Sequence, residues 1–418
     1  MSHNTELISS SAEAIETHDA LLTEILVRLP LRDVIAFKCV SKRLLSLISD
    51  PYFSRCRTTV QGTRFSGLIL DLDFIHPEHR ELTFFYFNKK LRRPCRRRRI
   101  FCPKIPDHYS YILQSCNGLM LLRRFTDRFI YNPTTGDKKP LPSPFPSFDN
   151  SHFSKYSLAF DPLRFLGYKL ICIFRGKFSK RDRHQTMVYS SESGAWNPCS
   201  SSFSTPTDMD FAHGVYFKDS VYWIGNKSKT TLRFDMKEER VKDDMPPLPP
   251  LPPGSQDLNV GGPVFLALSE LNSKKAYNGY GYILAPACGY MNLVGFDFGF
   301  YVRVFRLKED DYSSSRSWIL MHNVDLRRTS LKTVFNNLNL PNTWKYSILH
   351  LIKDGEDDEM ALLLLIHGKV IALRLKNNTT YDVLGLKIKG NNPRYYYNFP
   401  GVMGWYRAFE YAESLACL

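Results

Sequence analysis

The residues that stand out for chemistry are apolar anchors and not catalytic groups. Leu21, Leu22, Ile25, Leu26 and Leu29 recur at spacings of three and four, which lines one face of a helix. Such a face recognises another protein by seating its anchors in a groove. Reaction chemistry has weaker claims. No G-x-S-x-G, P-loop or H-E-x-x-H occurs in the 418 residues. Gly279-Tyr-Gly281 lacks the third glycine of a dinucleotide loop and reads as a strand kink or bulge. His76-Pro-Glu-His79 is too short and isolated for a metal site. The nine cysteines, Cys39 to Cys417, contain no CxxC pair and none lies at zinc-ligand spacing from a His. We therefore expect no catalytic residue, no metal and no cofactor.

Charge is concentrated in one place. Lys89, Lys90, Arg92, Arg93, Arg96, Arg97, Arg98 and Arg99 put eight positive charges in eleven residues, and without them the net charge of +15 falls to +7. A uniformly nucleic-acid-binding surface is not the simplest reading, and no aromatic residue is interleaved in the run. The run fits a nuclear localisation signal, a contact for nucleic acid or an acidic target, or a solvated loop held out by self-repulsion. Pro246-Pro-Leu-Pro-Pro-Leu-Pro-Pro253 fits a polyproline ligand or a stiff connection, and the similar Pro140–Pro146 favours the connection. Arg394-Tyr-Tyr-Tyr397 fits an aromatic binding patch or a terminal strand closing the β region.

The elements that must carry these residues divide the chain in two. Composition, with 43% hydrophobic and 23% charged residues, excludes wholesale disorder, and 14% aromatics leans towards strands. No apolar run approaches the ~20 residues of a membrane span. The first residues have neither a basic n-region nor an apolar h-region. We expect no membrane, reduced thiols, and a cytoplasmic or nuclear location, or both.

Residues 1–17 read as a disordered tail. Three short helices follow, from Asp19 capped by Thr17 or Asp19, at about Arg32–Lys38, and at about Ser41–Ile48, stopped before Pro51. Their stripes carry more Leu, Ile and Val than so small a unit can hide, which implies a partner surface or a cap packed on the rest of the chain.

Beyond about Thr58 the pattern is β. Hairpins are expected at His213–Phe217 with Ser220–Ile224 and at Met360–Ile366 with Lys369–Leu375, and a tight turn at Asn117-Gly118. Arg306–Asp311 and Asn336–Leu340 read as polar connections. A strand running into a polar turn recurs at Tyr131–Gly136, Tyr189–Gly194, Phe234–Glu238 and Phe305–Glu309, with a weaker copy near Leu373. The spacings of 58, 45, 71 and 68 residues suggest propeller blades, with a β-sandwich as the alternative.

The segment Asp19-Ala-Leu-Leu-Thr-Glu-Ile-Leu-Val-Arg-Leu-Pro-Leu-Arg-Asp-Val34, with Phe37-Lys-Cys-Val-Ser-Lys42 and Ser46-Leu-Ile-Ser-Asp-Pro-Tyr-Phe53, resembles an F-box. It departs at His18, where a Pro often opens the first helix, at Ser41, where Cys is common, and at Leu44, where Trp is common. The remainder resembles the associated, kelch-related domain of plant-type F-box proteins. The carrying residues are Ser115-Cys-Asn-Gly-Leu119, Ile130–Gly136, Leu158-Ala-Phe-Asp-Pro162 with Tyr168-Lys-Leu170, Gly214-Val-Tyr216 with Val221-Tyr-Trp223, and Phe234-Asp235 with Glu238.

The resemblance implies an α+β multidomain chain. A three-helix F-box at 18–57 is followed by a connecting region with the basic run at 58–109. A mainly β, propeller-like domain occupies 110–418. It implies a non-enzymatic substrate receptor of a cullin-based ubiquitin ligase, in which the first unit docks on a Skp-type adaptor and, through it, cullin, while the β domain captures an unknown protein target. The adaptor-facing residues it implies are Leu21, Leu22, Ile25, Leu29, Pro30, Val34, Val40 and Leu44. A cullin-independent scaffold and a basic nucleic-acid-binding β protein are the rival readings.

Overall fold

The computed structural model describes residues 18–62, 65–72, 81–86, 110–145, 154–165, 167–175, 183–250, 280–297, 300–309, 315–332, 346–355, 358–366, 369–385, 407–416 and 418. The basic run, His76–His79, Asn336–Leu340, Arg394–Tyr397 and the turn at His367-Gly368 lie outside these residues.

Four helices open the described chain: α1 (Asp19–Leu26), α2 (Leu31–Phe37), α3 (Lys42–Ser49) and α4 (Pro51–Gln61). The fourth corrects the expectation of three. α3 stops before Pro51 as expected, but Pro51 also starts a further helix, because a proline at the first helical position gives up an N–H that has no partner there anyway. Asp50 completes the start by accepting from the Tyr52 N–H at 2.7 Å. The cap expected for α1 from Thr17 or Asp19 is also corrected. His18 holds the cap position without a side-chain cap bond, and Asp19 sits in the first turn, where it pairs with Arg43 of α3 at 2.7 Å.

Beyond these, the described residues form strands in six antiparallel sheets and two single-turn 3-10 helices, Phe211–His213 and Leu326–Arg328. Four of the sheets are four-stranded blades, a fifth blade has five strands because the short strand Phe203–Ser204 joins it, and a sixth, three-stranded sheet joins the two ends of the β region. In that joining sheet Arg407–Ala412 pairs with Phe65–Leu72, which pairs with Glu81–Tyr86. The β domain thus takes in strands from the segment read as a connection, 58–109. We number this sheet blade 1. Blade 2 runs from Tyr111 to Pro140, blade 3 from Ser154 to Ser204, blade 4 from Val215 to Lys242, blade 5 from Tyr280 to Asp325 and blade 6 from Ser347 to Gly385.

The strands Arg407–Ala412, Tyr111–Cys116, Ser154–Ala159, Val215–Phe217, Tyr280–Ala287 and Ser347–Lys353 touch in circular order, and the last returns to the first. The ring is closed by pairing the start of the β region with its end, which leaves these two termini no free sheet edge between them. The propeller-like expectation holds and the sandwich does not.

The turn repeat is physical. Each copy is the third strand of a blade running into its fourth: Tyr131, Tyr189, Phe234, Phe305 and Leu373 all end or lie in third strands. Polar side chains close several of these turns. Asn132 accepts from the Thr134 N–H at 2.9 Å, and Asp235 accepts from the Lys237 N–H at 2.9 Å and the Glu238 N–H at 3.1 Å. The Lys218-Asp219 and Asn117-Gly118 hairpin turns put both central residues at positive φ, as two-residue turns between right-twisted strands require. Arg306–Glu309, read as a connection, is instead the end of the strand Tyr301–Glu309. The proline run behaves as a connection where it is described. Leu248 is buried between blades 4 and 5, and the Tyr282 hydroxyl donates to the Pro249 carbonyl.

Blades are tied at the inner ring. Gln114 Nε2 donates to the carbonyls of Leu158 at 3.2 Å and Gly214 at 2.6 Å, and its Oε1 accepts from the Leu158 N–H at 2.7 Å. One side chain therefore links blade 2 to blade 3 and to the edge of blade 4. On the closing strand, Glu410 is half-buried overall, but its carboxyl is enclosed, and burial pushes it from the ordinary 4.5 up to about 7. The folded state disfavours the charged form. This contribution to stability is full below pH 4.5, falls as pH rises to about 7, and stays lost above it. Glu410→Gln should stabilise the domain relative to wild type above pH 7, with the difference shrinking towards pH 4.5. Thermal unfolding across that range checks it, and a pH-independent difference would remove the explanation.

Candidate interaction surface

The helical module has one inward face and one outward face. Leu26, Val27, Leu31, Val34, Ile48 and Phe53 form its core, and Leu415 from the far end of the chain completes it. Arg57 of α4 donates to the Val27 carbonyl at 3.1 Å and to the Leu29 carbonyl at 2.8 Å, satisfying acceptors left over where α1 ends. Gln61 adds a bond to the Val27 carbonyl at 3.2 Å. Pro30 stands at the cap of α2 in extended geometry, and Ser41 accepts from the Leu44 N–H at 3.1 Å to start α3.

A short segment fixes this module to the β domain. The Asn132 side-chain amide donates to the carbonyls of Ser414 at 3.1 Å and Ala416 at 3.0 Å, while the Ser414 N–H donates to the Thr134 hydroxyl at 3.2 Å. Ala416 packs into the core of blades 2 to 4, and Leu415 turns the other way into the helices. Burial raises the Glu413 carboxyl, and the neighbouring Arg57 charge pulls it partly back. Gly118 lets the segment approach the Asn117-Gly118 turn. It has φ +95, and a Cβ there would lie 2.5 Å from the Ser414 Cβ and 2.7 Å from the Ala412 carbonyl oxygen. The inward face of the helical stripes is therefore packed on the rest of the chain, as a cap would be.

The outward face carries exposed apolar side chains. Leu21 and Ile25, one helical turn apart on α1, are each 45% exposed, and Val40 before α3 is 67% exposed. Leu22, Leu29 and Leu44 are half-buried and Pro30 is exposed. Val34 is corrected: it is 0% exposed in the module's own core and has no surface to give a partner. Its apolar position on a helical stripe did not distinguish inner from outer face. Leu45 and Tyr52, also exposed, are not among the adaptor-facing residues expected from the sequence. Exposed apolar groups this dense on a small module are a mark of an interaction site.

Burial pushes the Cys172 thiol up to about 12 and raises that of Cys116 further, so neither is a ready nucleophile. Among the described residues no helix is long and apolar enough to cross a membrane.

Comparison with known families matches residues 18–56 to the F-box domain and residues 71–243 to the F-box associated beta propeller domain. An F-box protein of Arabidopsis thaliana is 28% identical over 440 residues, covering 98% of this chain and 94% of that protein. An F-box/LRR-repeat protein of the same plant is 30% identical over 164 residues, 36% of this chain and 35% of its own.

Proposed function

Because this chain is an F-box protein, with an F-box-associated β-propeller domain after the F-box, we propose that it is the substrate receptor of a Skp–cullin–F-box ubiquitin ligase. The F-box docks on a Skp-type adaptor, and the propeller holds a target protein. The observation that carries this reading is the outward pair Leu21 and Ile25, exposed on a module whose inward face is already closed by Leu415. Val40, Leu45, Tyr52 and the exposed Pro30 extend the docking surface, with Leu22, Leu29 and Leu44 at its half-buried edge.

The chain contributes proximity and no reacting group. Holding a target beside a ubiquitin-loaded enzyme raises its effective concentration. The segment Glu413–Ala416 makes that proximity geometric, because it ties the docking module to the propeller at both of its faces. A flexible tether would leave the target's lysines unaligned.

Affinity purification of the tagged chain with ligase turnover blocked tests the assembly. Recovery of both a Skp adaptor and a cullin is expected. Adaptor without cullin would establish the scaffold reading instead.

A further inference from the structure

We propose that a depression between blades 4 and 5 is the seat of an acidic segment of the target protein that also carries apolar side chains; this rests on the receptor reading above. The depression measures about 720 Å³. Its carboxylates are already taken. Asp219 is paired with Arg164 and, at 3.3 Å, with Lys237; Asp235 with Arg233 at 3.1 Å; and Glu309 with Arg316 at 2.9 Å. Three of its cations, Lys218, Arg306 and Lys308, have no carboxylate partner among the described residues. Among the described residues the lining therefore carries an excess of positive charge and suits a negatively charged ligand.

Arg306 is held for this purpose. Its guanidinium lies 3.9 Å from the centroid of the Tyr290 ring, and its buried Nε has no hydrogen-bond partner. Stacking fixes the plane of the guanidinium and leaves its in-plane donors for a carboxylate, which two of them can grip together. The same stacking covers one face of Tyr290. An unstacked nucleic-acid base finds less aromatic surface here than single-strand binding uses, and a peptide is the better fit.

The apolar half of the specificity comes from the outermost strand of blade 5. Ile319 and Met321 line the depression and are 40% and 41% exposed, with Leu320 between them at 48%. The pairing passes from Val304–His322 to Phe305–Leu320, so Met321 is the extra residue of a bulge. A bulge re-aims side chains out of the regular alternation, and here it puts three apolar residues in succession at the surface. A small free anion has no use for this wall, whereas an acidic peptide with an aromatic or aliphatic residue uses both halves.

The test uses the full chain bound to its Skp adaptor and a fluorescent peptide of alternating Asp and Phe. An Asn–Phe peptide and a single-stranded RNA serve as comparison probes. Fluorescence anisotropy should show the Asp–Phe peptide binding about tenfold or more tightly than the Asn–Phe peptide. Arg306→Gln with Lys308→Gln should erase that difference, and Lys369→Glu on blade 6 should preserve it. Matched thermal unfolding of the variants separates lost binding from lost folding. Equal binding of the two peptides, a preference that survives the double Gln variant, or RNA binding without peptide binding would each overturn the assignment. A chain that binds no Skp adaptor refutes the receptor reading itself, whereas one that binds adaptor without discriminating peptide charge refutes only the depression.

Discussion

Leu21→Glu with Ile25→Glu is expected to remove Skp-adaptor binding while leaving the fold intact. Both side chains are 45% exposed and neither belongs to the module's core, so the substitution costs little in the free chain. In a helix-in-groove interface a central apolar anchor is worth about 2 kcal/mol on truncation. Two such anchors give about 4 kcal/mol, roughly a thousandfold in affinity, before any cost of bringing two carboxylates to the interface. The measurement is a titration of purified adaptor against wild type and variant, with circular dichroism confirming equal helix and strand signals. Val34→Ala provides the contrast. Val34 is fully buried, so its truncation should lower the stability of the module first and adaptor affinity only through that loss. Wild-type affinity in the double Glu variant would move the interface off α1.

Leu415→Ala is expected to loosen the whole F-box without opening the propeller. Leu415 is 3% exposed and sits in the core formed by Leu26, Val34, Ile48 and Phe53. Leucine-to-alanine changes in cores cost roughly 2–5 kcal/mol. A module this small has little stability to spare. Amide hydrogen exchange should rise by about 30-fold or more across α1 to α4 for a loss of about 2 kcal/mol, while the inner strands of the propeller keep their protection. Asn132→Ala should produce a milder form of the same pattern, because it frees the carbonyls of Ser414 and Ala416 without emptying the F-box core. Unchanged exchange in the helices of the Leu415 variant would mean that the segment merely rests on them.

Legibility in the sequence followed the range of the interactions. The stripe of α1, the Ser41 start of α3, the Lys218-Asp219 turn and the third-strand turns after Tyr131, Tyr189 and Phe234 rest on neighbours a few residues away, and their residue types announced them. The helix that Pro51 opens was not legible because a proline ends one helix and begins another by the same absence of an N–H. Arg306–Glu309 was misread because charged residues near the end of a strand look like a loop until their partner strand is known.

Local patterns were enough for the two-part organisation, the α1 stripe, the β repeat and the resemblance to F-box proteins. Only the tertiary structure decided which apolar residues face inward, for Val34 and Ile25 belong to the same class of apolar stripe residue and differ only in what packs against them. It also decided that Phe65–Leu72 pairs with Arg407–Ala412 to close the ring, and that Leu415 completes a core formed by residues 26–53. The physical reason is the same in both cases. Periodicity records a residue's angular position on its own element, but burial depends on surfaces brought together from more than 300 positions away, and no local pattern encodes that meeting.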